Sequence, residues 1–279
     1  MPPRRLAYMP LVTYPDSAPD SSVEAASGFA SALSSELHVA AFAVRIPRVS
    51  TPIGGLLLNI PEMIRGAEEN SRTRCRDLQA LVEKSVGAGF KVQCSTRDAE
   101  PASTGALAAS EARYFDLVVL PWSKDTVSVS DLSQTVVFAS GRPSILVPPA
   151  VRSRPIAHVA IAWDASRVAA RAVADLMPLL AGDCRITVLT VQDEKPLPGS
   201  NIAETLSASL IQRGFLAEAR NVALAGRTVA EALQDAAIEA GAGLLAMGGF
   251  GHSRVRDFVL GGATKGIFAD LRLPVLLSH

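Results

Sequence analysis

The order of landmarks along the chain repeats. Gly89-Phe90 corresponds to Gly214-Phe215, and Asp116-Leu117-Val118-Val119-Leu120 corresponds to Gly243-Leu244-Leu245-Ala246-Met247. Arg142-Pro143-Ser144-Ile145-Leu146-Val147 returns as Leu273-Pro274-Val275-Leu276-Leu277. That spacing specifies two copies of one domain, over residues 1–150 and 151–279. A chain of 279 residues suits two such units. The stretch Pro148 to Pro155, with three prolines and two arginines, reads as the linker.

Within each copy, short apolar runs alternate with helical patterns. In the first copy, strands are expected at Leu6–Thr13, Leu37–Val44, Phe90–Ser95, Leu117–Leu120 and Ser144–Val147. Ser21-Ser22-Val23-Glu24 carries capping signals for a helix burying Val23, Ala26, Phe29, Ala30 and Leu33. Further helices are expected at Glu62–Val86, Ala102–Arg113 and around Leu132–Ala139. In the second copy, strands fall at Val159–Trp163, Ile186–Val191, Phe215–Val222, Leu244–Met247 and Pro274–Leu277. Its helices fall at Ser166–Leu180, Ile202–Arg213, Thr228–Ala240 and Gly262–Leu271. This alternation implies right-handed crossovers and parallel sheets covered on both faces. The expected fold is α/β: two tandem doubly wound, five-stranded, Rossmann-like domains. Ligands of such sheets sit beyond the C-terminal strand ends, where strand order reverses. If the first and fourth strands of the second copy are neighbours, Asp164 and Gly248 face one crevice.

Composition narrows the function. Apolar residues make up 48% and charged residues 19%, which suits a well-buried protein rather than a disordered one. Residues 1–150 carry 14 basic and 15 acidic side chains, leaving 13 and 12 for the remainder. Neither copy has the basic excess of a nucleic-acid binder. Cys75, Cys94 and Cys184 lie far apart without CxxC spacing, which suggests neither a disulfide framework nor a zinc site. No signal-peptide core follows Arg5, and no apolar run reaches membrane-spanning length, so a cytoplasmic protein is expected.

The chemistry concentrates near the C-terminus. Apolar Leu244–Met247 stops at Gly248-Gly249-Phe250-Gly251, a basic stretch with Arg254 and Arg256 follows, and Gly261-Gly262 opens a helix carrying Lys265. Glycines permit φ > 0 and close approach to a ligand, and a helix start offers unpaired N–H groups and a positive dipole end. Together these suit phosphate, with added donors from His252 and Ser253. Two common templates fail. After the Gly261–Gly266 frame stands Ile267 where a Walker loop needs Lys, and Arg254 occupies the third glycine of a dinucleotide fingerprint.

The spacing Gly-x-x-Gly-x9-Gly, at Gly248, Gly251 and Gly261, does fit a known pattern. Following Leu244–Met247 and preceding a helix and Leu-Pro-Val-Leu-Leu, it resembles the universal stress protein family. The strand ending Ala162-Trp163-Asp164 also resembles that family's first strand and its acidic residue. The resemblance implies a tandem member with ATP in the second domain, Mg²⁺ being an optional companion. It implies that Asp164 holds the ribose and adenine side and that Val191 lines the adenine pocket. Met247, Gly248, Gly251, His252, Ser253, Gly261, Gly262, Ala263 and Thr264 make up the rest of the site, the glycines offering backbone donors to the phosphates. Two positions depart from the family pattern: Gly262 stands where Ser or Thr is usual, and Arg254 replaces a common glycine.

The first domain has no such segment. Its strand end reads Leu120-Pro121-Trp122-Ser123-Lys124-Asp125, and Pro121 removes a donor. It is expected to bind no nucleotide and to pair with the second domain through the final strands, as subunits do in single-domain members. Further homodimer formation is an open partner. His38, His158 and His279 are scattered and read as structural or solvent-facing, while Trp163 reads as core or as a base-stacking ring. Asp164 has a second reading as cap of the helix near Ser166. No GxSxG elbow or HExxH motif supplies catalysis. Three functions stay open: a stress-response nucleotide-binding module, an interaction protein using the glycines as turns, and a slow ATP hydrolase.

Overall fold

Strands this short are stable only within a larger sheet with an apolar face, and ten of them share one. The structure is a computed structural model that describes residues 4–34, 36–47, 59–149, 151, 155–249 and 262–279. The first half contains β1 (Leu6–Val12), α1 (Asp20–Leu33), β2 (Glu36–Val44), α2 (Ile60–Ser85) and β3 (Lys91–Ala99). It continues with α3 (Thr104–Ala112), β4 (Leu117–Pro121), α4 (Val127–Ala139) and β5 (Ser144–Val147). The second half contains β6 (His158–Ala162), α5 (Arg167–Leu176), β7 (Arg185–Val191), α6 (Ile202–Gln212) and β8 (Leu216–Val222). It ends with α7 (Val229–Glu239), β9 (Leu244–Gly248), α8 (Gly262–Ala269) and β10 (Val275–Ser278).

Strand order is β3-β2-β1-β4-β5-β10-β9-β6-β7-β8. All pairs within a half are parallel, as the alternating pattern requires. The halves join where β5 and β10 run antiparallel, with Leu276 opposite Ile145. These are the two apolar final strands, and at the seam they bury each other's edge. Aromatic rings cross the same seam: Trp122, just after β4, meets Phe268 of α8 edge-on at 5.4 Å. Such a pair adds about 0.5–1.5 kcal/mol beyond its buried area.

Strand order reverses between β1 and β4 and again between β6 and β9. At each reversal the crossovers leave on opposite faces, so a crevice opens beyond the C-terminal strand ends.

Three helix ends and one strand end depart from expectation. First, α1 starts at Asp20 after Pro19 and has no side-chain cap; the Ser22 hydroxyl instead donates to the Trp122 carbonyl. A competing tertiary acceptor therefore removed the sequence signal. Second, the helix expected over Ser166–Leu180 stops at Leu176 and tightens into a 3₁₀ turn, Met177–Leu179, around Pro178. Third, α8 ends at Ala269, not Leu271: Gln234 of α7 donates to the Asp270 carbonyl and accepts from the Arg272 N–H, holding the exit chain. Fourth, β3 runs on to Ala99 beside β2 because backbone pairing overrides its polar side chains. Elsewhere local chemistry agrees with the fold. Thr228 and Glu231 form a reciprocal capping box on α7. Ser71, Cys75, Leu78 and Val82 give α2 one narrow buried stripe.

Candidate functional site

At the end of β6 the chain makes a tight turn. Trp163 donates its N–H to the Leu189 carbonyl, and the Thr190 hydroxyl donates to the Trp163 carbonyl, both at 2.8 Å. Ala165 then adopts φ 59°, a left-handed conformation that costs a non-glycine residue about 1–2 kcal/mol. The turn lets Asp164 Oδ1 accept the Ser166 N–H at 3.0 Å, while Ser166 Oγ accepts from the Ala169 N–H at 3.2 Å. Ser166 is therefore the cap of α5, and the reading of Asp164 as that cap is corrected. The second carboxylate oxygen of Asp164, Oδ2, accepts from Lys195 Nζ at 2.7 Å. Burial raises the Asp164 pKa, but the hydrogen bonds from Lys195 and Ser166 outweigh it and leave the carboxyl below its ordinary range.

Gly248 ends the neighbouring strand. It is not in the left-handed region, contrary to the expectation that the glycines there turn with positive φ. Closeness is what it provides. A Cβ on Gly248 would stand 2.7 Å from the Val168 carbonyl carbon and 2.8 Å from the Ala169 nitrogen. Only hydrogen fits between β9 and the first turn of α5. On the other side, Gly266 does the same for α8: a Cβ there would come within 2.5 Å of Ala230 Cβ on α7. Gly248 thus sets how near the start of α5 approaches the sheet end, and Gly266 how near α8 packs against the first turn of α7.

Between them lies a cavity of about 210 Å³. Its floor is apolar, formed by Ala162, Leu189, Val191, Met247 and Leu233, and Trp163 joins its wall. Its rim is polar: Asp164, Glu194, Lys195 and Ser166 face Gly262, Ala263 and Thr264 of the first turn of α8. Of the residues singled out in sequence, Asp164, Val191, Met247, Gly248, Gly262, Ala263 and Thr264 all line this one cavity. Gly251, His252, Ser253 and Gly261 lie outside the described residues. Sequence reasoning missed Lys195, Glu194 and Leu233. Leu233 lies on the apolar face of α7, but nothing local marks Lys195, whose partner is 31 residues away. The described residues contain no group of three or more His, Cys, Asp or Glu able to hold a metal ion.

The same place in the first half is filled. Ala7 sits opposite Leu117 as Val159 sits opposite Leu244, so register puts Val12 at the position of Asp164 and Pro121 at that of Gly248. The space there is about 10 Å³, roughly what one water needs. Thr13 donates its hydroxyl to the Phe42 carbonyl and accepts from Ser71 of α2, each at 2.7 Å. A buried polar stitch with α2 thus ties down the chain after β1.

The described histidines, His38, His158 and His279, are not among the residues lining the cavity. His158 Nδ1 accepts from Arg185 at 3.0 Å, so Nε2 donates to Thr187 Oγ1 at 2.8 Å, which donates in turn to Glu218. Burial, helped by the Arg185 charge, lowers the His158 pKa against the opposing pull of Glu218. His279 packs edge-on against Phe138 at 5.5 Å, and His38 Nε2 lies 2.9 Å from Glu36.

No protein-family model and no curated protein matches the sequence. Solved structures do. A universal stress protein from Archaeoglobus fulgidus DSM 4304 superposes with a TM-score of 0.65, over 97% of this chain and 97% of its own, at 15% identity. The fold is that of a universal stress protein. A member of the universal stress protein family from Burkholderia pseudomallei is 25% identical over 44% of this chain and 95% of its own, with a TM-score of 0.34. A universal stress protein in complex with cAMP is 20% identical over 44% of this chain and 97% of its own, also at 0.34. The universal stress protein fold assignment rests on the first of these, which spans both halves.

Proposed function

We propose that the chain is a tandem universal stress protein, a stress-response module that binds a nucleotide, ATP, in residues 151–279. Residues 1–150 act as a nucleotide-free partner domain. One observation carries this reading: an apolar-floored cavity at a topological switch point has a carboxylate on one rim and a helix N-terminus on the other. Among the described residues, the cavity at the switch point of the first half is about 10 Å³ and that of the second half about 210 Å³. That volume is below the roughly 300–1,000 Å³ of pockets that bury a drug-sized ligand. It suits a base and part of its sugar, leaving the phosphates along the open rim. Val191 and Met247 would meet the base, and Asp164 would accept from ribose hydroxyls. Gly262, Ala263 and Thr264 would present the start of α8 to phosphate. Gly251, His252, Ser253 and Gly261 would complete the cradle, with Mg²⁺ accompanying the phosphates when present. Hydrolysis would be slow, since no described side chain on the cavity pairs with another as nucleophile and base.

The test is direct. Protein purified without added nucleotide is denatured and its small molecules are read by mass spectrometry. In parallel, melting is followed with and without ATP and Mg²⁺. The expected result is bound adenine nucleotide or an upward shift of the midpoint, either lost in Asp164→Ala. No nucleotide and no shift would sink the nucleotide reading.

A second reading has one observation in its favour. Gly248 is required by the packing of α5 alone, which suits an interaction protein whose glycines serve packing. Unshifted melting together with an unchanged fold would select it.

A further inference from the structure

Among the described residues that line the cavity, Lys195 is the one cation, and it shares the rim with two carboxylates, Asp164 and Glu194. Those described side chains are net negative even with Lys195 counted, so for an entering phosphate Lys195 is the charge that offsets part of the repulsion. Yet Lys195 is already engaged, its Nζ 2.7 Å from Asp164 Oδ2. Oδ1 is held by the Ser166 N–H, so Oδ2 is the oxygen left for a sugar hydroxyl. The ammonium and that hydroxyl are both donors, each with its own volume, competing for one partly buried oxygen.

The loop that carries Lys195 is anchored just before it. Both oxygens of Asp193 accept the Leu224 N–H, at 3.0 and 3.2 Å. The backbone is therefore held while the four-carbon lysine stem, 39% exposed, can swing. What it gains by swinging depends on the ligand. A nucleoside expels the ammonium from Asp164 and offers no charge in return. A phosphorylated nucleotide expels it and supplies a new anionic partner on the same rim.

Resting on the nucleotide reading above, we propose that Lys195 is the specificity-determining residue that makes this cavity favour phosphorylated nucleotides over their nucleosides. It guards Asp164 against an uncharged ligand and re-pairs with the phosphates of a charged one.

Calorimetric titration of the full chain with adenosine and with ATP tests this, on the wild type, Lys195→Met and Lys195→Arg. In Lys195→Met, adenosine should bind about tenfold tighter and ATP about tenfold weaker. Lys195→Arg should keep the wild-type preference. Added salt should tighten adenosine binding to the wild type by screening the ion pair, and should leave adenosine binding to Lys195→Met unmoved. A wild type that binds ATP, with a preference unchanged in Lys195→Met, overturns the role of Lys195 and leaves the nucleotide reading standing. A wild type and variants that all bind neither ligand overturn both.

Discussion

Register superposes Val12 on Asp164 and Pro121 on Gly248, and the two halves part company at these positions. The strands behind them are alike: short, parallel, buried and in the same order. In the first half an apolar side chain and a proline close the strand ends, and Thr13 and Ser71 are hydrogen-bonded beside them. In the second half a carboxylate held by a turn and a glycine pressed against α5 line an open cavity of about 210 Å³. A crevice at a switch point is thus a possibility the topology offers. Whether it stays open is decided by a few residues at the strand ends.

The sharpest way to break this contrast is to place the carboxylate in the wrong half. Val12 is 8% exposed, and register puts the uncharged Ile46 at the place of Lys195. Val12→Asp should cost about 4 kcal/mol or more, through an unpaired buried carboxylate. Urea unfolding measures it, and a loss under 1 kcal/mol would mean that the first half tolerates an open strand end. Next is the packing that holds the second crevice. Gly248→Ala and Gly266→Ala should each cost about 2–3 kcal/mol by overpacking, whereas Gly249→Ala, whose Cβ would lie 3.4 Å from the Ser278 carbonyl, should cost far less. Adding Ala230→Gly to Gly266→Ala removes the methyl in the way and should recover part of the loss. No recovery would show that Gly266 matters for another reason.

Smaller effects separate the helices that follow β1 and β6. Ser166→Ala should cost about 1 kcal/mol, because Ser166 caps α5, while Ser21→Ala should stay within about 0.5 kcal/mol, because α1 has no side-chain cap. Equal losses would erase that difference. The smallest effect is the response to acid. His158 is held neutral, so its folded pKa lies below its unfolded one and the unfolded chain binds the extra proton. Its contribution is intact at neutral pH and fades as pH falls below about 6.5. Register puts Leu6 at the corresponding place in the first half. Melting between pH 7 and 5 should therefore flatten in His158→Leu, and an unchanged slope would assign the effect elsewhere.

Much of this was readable before any coordinates. Leu244–Met247 and Leu117–Leu120 announce buried strands by apolarity alone, and the repeat then dictates the rest of the order. Asp164 and Gly248 are nameable because strand ends at a switch point share one crevice, while Val191 comes from the family resemblance alone. What could not be read depends on distance or shape. Lys195 meets a partner far along the chain, and the fit of Gly266 against Ala230 exists only once two helices are docked. Ala165 at positive φ has the wrong chemistry for its turn, so no local rule finds it. The start of α1 differs from its sequence signal because Ser22 donates to the Trp122 carbonyl instead of capping the helix.

The antiparallel seam between β5 and β10 has a last consequence. Two separate chains meeting through such an edge would be identical, and their pairing would weaken on dilution. Tethering makes the encounter intramolecular, with an effective concentration fixed by the linker. It also lifts the symmetry constraint: a substitution such as aspartate to valine at one strand end no longer appears in both partners. One copy can then close its crevice and still supply the other with a buried edge. In a fused pair, loss of a site on one side becomes affordable.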